Sequence, residues 1–185
     1  SLSTCTSPDV VSICKKFGIK IHWFHPLIDN YKKSTSINKL MNMMSKSMKN
    51  PKGFPGLQTG GNVGTAAWVF SWAVLGKSPV ALIGINFGYN ENTNIIDTPH
   101  YNEFIKISNG EHNKAKKYYK TISNPYTKSK ILVDSIFDYY REAFCNLVTL
   151  TPIWVRTINA TQGGSLFGKR IELETLEKFL LNYSK

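Results

Sequence analysis

The segment that most constrains this chain begins at Thr59. Thr59-Gly60-Gly61-Asn62-Val63-Gly64-Thr65 leads directly into an apolar stretch that reaches Leu75, Gly76 stops it, and the β-branched run Val80–Ile85 follows. A stretch that is apolar almost all round reads as a buried helix. A continuous apolar run bounded by turn residues reads as a central parallel strand. Turn, helix and strand in this order are the repeating unit of a parallel α/β sheet. Ile19–Phe24 and Trp154–Ile158 supply two further strand candidates. Helical signals occur at Pro8–Phe17, at Ser36–Met48, over Leu132 to Leu147, and at Leu173–Leu180. In the second of these, Ile37, Leu40, Met41, Met44 and Met48 fall on one face, which is expected to point to a core. The predicted class is α/β, a Rossmann-like, mainly parallel sheet flanked by helices. At 185 residues the chain suits one core, so a single domain over 1–185 is expected. The polar, Asn- and Lys-rich stretch over about 90–130 reads as an insertion or lid.

Composition narrows the function classes. Hydrophobic residues make up 42% of the chain, too many for a disordered segment. The longest apolar stretch, Ala66–Leu75, is too short to span a bilayer. No export leader opens the chain, and Cys5, Cys14 and Cys145 form neither a disulfide framework nor a zinc spacing. The expectation is a reduced, cytoplasmic protein. The formal charge is +11, but the lysines lie on segments flanking the glycine-rich centre, and Arg occurs only at Arg141, Arg156 and Arg170. Nucleic-acid surfaces interleave Arg and exposed aromatics with their basic residues, so this pattern argues against nucleic acid. Solvated helix faces, or attraction of an anionic substrate, account for the lysines.

Ligands of parallel sheets sit beyond the carboxyl ends of the strands, and that rule selects the candidate site. Gly60, Gly61 and Gly64 allow close backbone approach, and the helix start offers free N–H groups to a phosphate. Thr59, Asn62 and Thr65 add side-chain donors. The competing reading is a close helix–strand crossing that requires glycine. No Gly-Lys-Ser/Thr follows, so this is not a P-loop. Gly84, Asn86 and Tyr89 follow the next strand, and Asn159 and Thr161 follow a later one. Asp29 and Asn30 come after His25-Pro26 at the end of the first strand, with Asp29 the best carboxylate for base work or for a metal. His22 and His25, three apart on a strand, face opposite sides and are not a shared metal site. For glycosyl transfer, His100 or His112 is the candidate general base, with Tyr89 or Tyr101 binding the leaving phosphate; the bland reading of His100 is an exposed loop residue.

The run TGGNVGTAAWVFSWAVLGKSPVALIGINFGY, from Thr59 to Tyr89, resembles the MptE-like family, named for archaeal 6-hydroxymethylpterin diphosphokinase. INATQGGSLFG, from Ile158 to Gly168, is similar to that family's closing motif. Pro26–Asn30 fits its earlier strand end, and Tyr140-Arg141 and Phe144 look like archaeal members. The family in turn resembles motility-associated glycosyltransferases. The resemblance implies a Rossmann-like nucleotide site. The reaction implied is diphosphate transfer from ATP to a small hydroxymethyl acceptor such as a pterin, with Mg²⁺ at Asp29. The alternatives are glycosyl transfer from a nucleotide sugar to a glycan or small molecule, and a non-catalytic nucleotide-binding module. Family members begin with a strand and a Gly-Pro-Ser-Leu-type turn that this chain does not show, so the expectation is either a fragment of the full domain or an incomplete site. Asn86 and Gln162 stand where Asp and Glu are common.

Overall fold

Residues 2–4, 6–25, 30–47 and 56–183 are described by the computed structural model of the chain. Contacts divide it into two compact units, Ser1–Thr59 and Gly60–Lys185.

In the first unit a Ser-Pro-Asp start produces helix α1, Pro8–Lys16. The Ser7 hydroxyl accepts from the Asp9 amide, as an N-cap should, and Gly18 at φ +64° follows its end. A short strand β1, Leu2–Ser3, pairs in parallel with β2, Trp23–Phe24. The sequence gives no sign of β1, since two residues are too few for periodicity to register. Helix α2, Ile37–Ser47, forms as its spacing predicts. Leu40 and Met44 nevertheless stay about half exposed, so the expected core-facing stripe is only partly covered.

The second unit holds two sheets. Asn62 caps helix α3, Val63–Val69, which continues as a π-helical turn over Phe70–Val74. It leads into β3, Val80–Leu82. β3 pairs in parallel with β7, Thr157–Asn159, and β7 with β8, Ile171–Leu173, giving the order β3-β7-β8. The class is therefore mixed α/β with a parallel sheet. The buried Trp68 of α3 locks helix to sheet: its indole N–H donates to the Thr157 hydroxyl at 3.1 Å, and its ring packs against Phe144 with centroids 4.8 Å apart. Ile158, Leu166 and Val148 complete this core.

The polar stretch over about 90–130 is more structured than its composition suggests. It contains helix α4, Tyr101–Ile107, the short α5, His112–Ala115, and strand β5, Tyr119–Ser123. β5 and β4, Tyr89–Asn90, flank β6, Lys130–Asp134, in an antiparallel sheet. The buried side chains of Phe104 and Ala115 anchor the helices. The long helix expected from Leu132 starts instead at Ser135: α6 spans Ser135–Leu150, and Ile131, Leu132 and Val133 belong to the buried central strand of the antiparallel sheet. Asp134 makes the boundary, because its Oδ1 accepts from the amides of Ile136 (2.9 Å) and Phe137 (2.8 Å). The closing segment likewise divides into β8 and helix α7, Leu176–Tyr183. Among the described residues, no helix is long and apolar enough to cross a membrane.

Candidate functional site

Because β3, β7 and β8 run parallel in register Leu82↔Asn159↔Leu173, the segments that follow them emerge at one edge of the sheet. Backbone and side-chain bonds tie two of these segments together. The Ser165 amide donates to the Asn86 carbonyl (2.8 Å), and the Ser165 hydroxyl to the Phe87 carbonyl (2.7 Å). The Asn124 side chain, from the β5–β6 turn, donates to the Gly164 carbonyl at 3.0 Å. Gly164, at φ +74°, lies so close that a Cβ would stand 2.8 Å from Asn86 Cα. The edge is thus a braced surface from which the exposed Gly84 and Asn86 project.

The glycine turn has a defined internal structure. Asn62 Oδ1 accepts from the Thr65 amide (2.9 Å), and its Nδ2 donates to Thr65 Oγ1 (2.9 Å) and to the Gly60 carbonyl (3.3 Å). The side chains of Asn62 and the buried Thr65 are therefore engaged within the turn. The first-turn amides of Val63 and Gly64 have no intrahelical acceptor. Asn159 is also turned inward: its amide donates to the Leu166 carbonyl (2.7 Å) and its Oδ1 accepts from the Thr161 amide (2.9 Å). The Thr161 hydroxyl reaches the Leu82 carbonyl at 3.4 Å. Thr59 and Asn30 belong to the first unit, where Asn30 Oδ1 accepts from the Lys32 amide. Asp29 lies outside the described residues.

Helix α6 links the glycine turn to a second polar centre. A Cβ on Gly61, whose φ is +83°, would stand 2.9 Å from Tyr140 Cε1. Phe137, one helical turn before Tyr140 and on the same face, has its ring centroid 5.1 Å from those of both Tyr89 and His100. His100, with 23% of its side chain exposed, bonds through Nδ1 to Asp134 Oδ2 at 2.8 Å. Asp134 is completely buried and accepts four hydrogen bonds, from the His100 ring, the Tyr89 hydroxyl (2.7 Å) and the two cap amides. A carboxylate only accepts, so the imidazole donates to it through Nδ1 and presents Nε2 away from the pair. Burial, and then the Asp134 bond and charge, push the Tyr89 phenol well above its ordinary value, so Tyr89 stays a donor. The loop that carries His100 is held from beneath. Thr98 donates to the Ile95 carbonyl and so accepts from the Tyr119 hydroxyl of β5 at 2.5 Å.

His112, the alternative base, is exposed and bonds to the Tyr101 hydroxyl (2.8 Å). His100 and Tyr89 were visible in the sequence as separate candidates, whereas their common partner Asp134 was not. An Asp directly before Ser-Ile-Phe at the end of an apolar run is a helix-cap signature, and that signal could have found it. No family model, curated protein or solved structure matches the chain.

Proposed function

We propose that the chain is a nucleotide-dependent transferase domain with a Rossmann-like site of the MptE-like kind, in which His100 removes the proton from an acceptor hydroxyl. The observation that carries the reading is the His100–Asp134 pair. A buried, four-fold bonded carboxylate holds Nδ1, leaves Nε2 as the basic atom, and stabilises the imidazolium that forms when the hydroxyl proton arrives. Deprotonated, the acceptor oxygen attacks the electrophilic centre of the donor, and the nucleotide portion leaves with its electron pair. The free amides at the start of α3 suit the donor's phosphates. Asn86, exposed on the segment that follows β3, would orient ribose or phosphate.

Two donors fit this scheme. With ATP the transferred group is a diphosphate and the acceptor a small hydroxymethyl compound such as a pterin. With a nucleotide sugar it is a glycosyl group, and the acceptor a glycan or small molecule. The His–Asp pair serves both. The diphosphate form also calls for Mg²⁺ to neutralise charge. Its proposed ligand is Asp29, which would hold the ion beside the donor's phosphates. The test is a thermal-shift and amide-shift panel of ATP, CTP, CMP and nucleotide sugars, with and without Mg²⁺. The reading expects one nucleotide to move the amides of Gly61–Thr65 and the His100 ring together. Movement of the turn without His100 would mark a non-catalytic nucleotide-binding module. No movement of either would refute the reading.

A further inference from the structure

A pocket of about 220 Å³ opens beyond the carboxyl ends of β7 and β8, between the β5–β6 turn and the start of α7. Its position matches the rule for parallel sheets, and none of the residues given catalytic work above lines it. It is smaller than the roughly 300–1,000 Å³ of pockets that enclose a drug-sized ligand, so it suits a single ring system. Tyr126, exposed on the β5–β6 turn, and Leu173, partly exposed at the end of β8, come from different elements and offer apolar surface to a planar ring. Both polar groups of Asn124 are engaged: its Nδ2 donates to Gly164, and its Oδ1 accepts from the amides of Tyr126 and Thr127. Asn124 therefore builds the wall and leaves recognition to other residues.

Glu174 and Gln162 are the longest polar side chains that line it. Glu174 has only 12% of its side chain exposed. Its Oε1 accepts from Asn182 Nδ2 at 3.1 Å and lies 3.4 Å from Lys178 Nζ, which leaves Oε2 as the oxygen these two partners do not take. A carboxylate oxygen at the rim of an apolar surface accepts readily from a ligand's N–H groups, and a charged acceptor makes the stronger bond. Gln162 stands in the left-handed region at φ +60°, where a non-glycine residue is strained, and its side chain is exposed at the pocket. Gly163, next to it, has open space where a Cβ would lie. The following Gly164 abuts Asn86, which braces the pocket wall against the segment that follows β3.

We propose that this pocket holds the base of the nucleotide donor and selects bases that carry an exocyclic amino group. The amino group, with a ring N–H where one is present, donates to Glu174 Oε2. The Gln162 amide meets the remaining ring acceptor, and the ring lies against Tyr126 and Leu173. This rests on the nucleotide reading above and adds which part of the donor is read, and by what.

The experiment titrates the full chain with cytidine, adenosine, guanosine and uridine, and separately with inorganic tripolyphosphate, following amide shifts. At least one amino-bearing nucleoside is expected to move the amides of Gly163 and Thr175 and to bind about tenfold more tightly than uridine, the difference expected of a hydrogen bond to a charged group. Glu174→Gln, which keeps an acceptor for Asn182, should remove most of that preference, and Tyr126→Ser should weaken all bases alike. Equal binding of uridine, unchanged preference in E174Q, or no response to any nucleoside overturns the proposal. If tripolyphosphate moves Gly61–Thr65 while every nucleoside is inert, the base pocket is wrong and the nucleotide reading survives. If nucleosides bind with this selectivity and tripolyphosphate does not, the pocket stands and the phosphate turn falls.

Discussion

Asp134→Asn should reverse the tautomer of His100. The substitution keeps an oxygen at the Oδ1 position, so the cap bonds to Ile136 and Phe137 survive. At the Oδ2 position it places an NH₂, which donates where the carboxylate accepted from His100 and Tyr89. The tyrosine hydroxyl can rotate to accept. The imidazole can accept only by moving its proton to Nε2, the atom proposed to act as base. Two charge-assisted bonds become neutral ones, at a cost of about 1 kcal/mol each, or about 2 kcal/mol together. For a chain of this length that lowers the Tm by about 4–8 °C. Asp134→Ala should cost about 1 kcal/mol more through loss of the cap. Long-range ¹H–¹⁵N spectra of the His100 ring read the proton directly, with no need of a substrate. The wild type should show an unprotonated Nε2, and D134N a protonated one in a folded chain. Once a donor is known, the wrong tautomer should lower kcat by about 10⁴-fold. A wild-type ring that already carries its proton on Nε2, or a D134N ring unchanged from the wild type, refutes the reasoning.

Gly164→Ala and Gly84→Ala form a matched pair. Both sites have φ above +70°, so each substitution incurs about 1–2 kcal/mol of backbone strain, but only at Gly164 would the new methyl meet the Asn86 backbone at 2.8 Å; denaturant unfolding should find G164A clearly the less stable. Trp68→Phe leaves the buried Thr157 hydroxyl without its donor and should cost about 1–3 kcal/mol in the same assay. Burial alone would raise the Asp138 carboxyl, yet Lys120 and Arg141 outweigh it and hold it below the ordinary value of 3.8. A depressed carboxyl stabilises the fold at neutral pH, and that contribution is lost as the pH falls below 3.8 toward the folded-state value. The stability of Asp138→Asn should therefore fall less steeply with acid than that of the wild type. Hydrogen exchange should show the β5 amides that face β6 protected without any ligand, because β5 pairs with β6 along its length; rapid exchange at those amides would contradict the antiparallel sheet.

The legible parts of the chain are those where local pattern and tertiary role agree. Asn62 caps, Val63 to Val74 are helical, and Val80–Leu82 is a strand, as the pattern predicts. Burial in the helix is confined to Thr65, Ala66, Trp68 and Val69, while Val63, Val74 and Leu75 stay exposed, so it is less enclosed than its all-round apolar face suggests. Leu132 misled because, with Ile136 and Tyr140, it falls on helical spacing although a strand ends between them. Two short elements that share an apolar face can imitate one long helix, and only the capping bonds of Asp134 separate them. The excursion over about 90–130 looked like a loop because its edge strand β5 exposes Lys120, Thr121 and Ser123 to solvent and so carries no alternating apolar pattern. At the site the sequence offered His100 and Tyr89 as individual residues. Their meeting at one carboxylate depends on β4, α4 and β6 coming together across more than thirty residues, which no local window contains.

The central claim is that His100 is the base of a nucleotide-dependent transfer. Its most direct test is turnover of the donor identified in the nucleotide panel, by the wild type and by His100→Asn, in the presence of acceptor. The account predicts acceptor-dependent release of the nucleotide product, a fall in kcat of about 10²–10⁴-fold in H100N, and unchanged nucleotide binding. Equal kcat in the two proteins, or no acceptor-dependent turnover by the wild type with any donor of the panel, contradicts it.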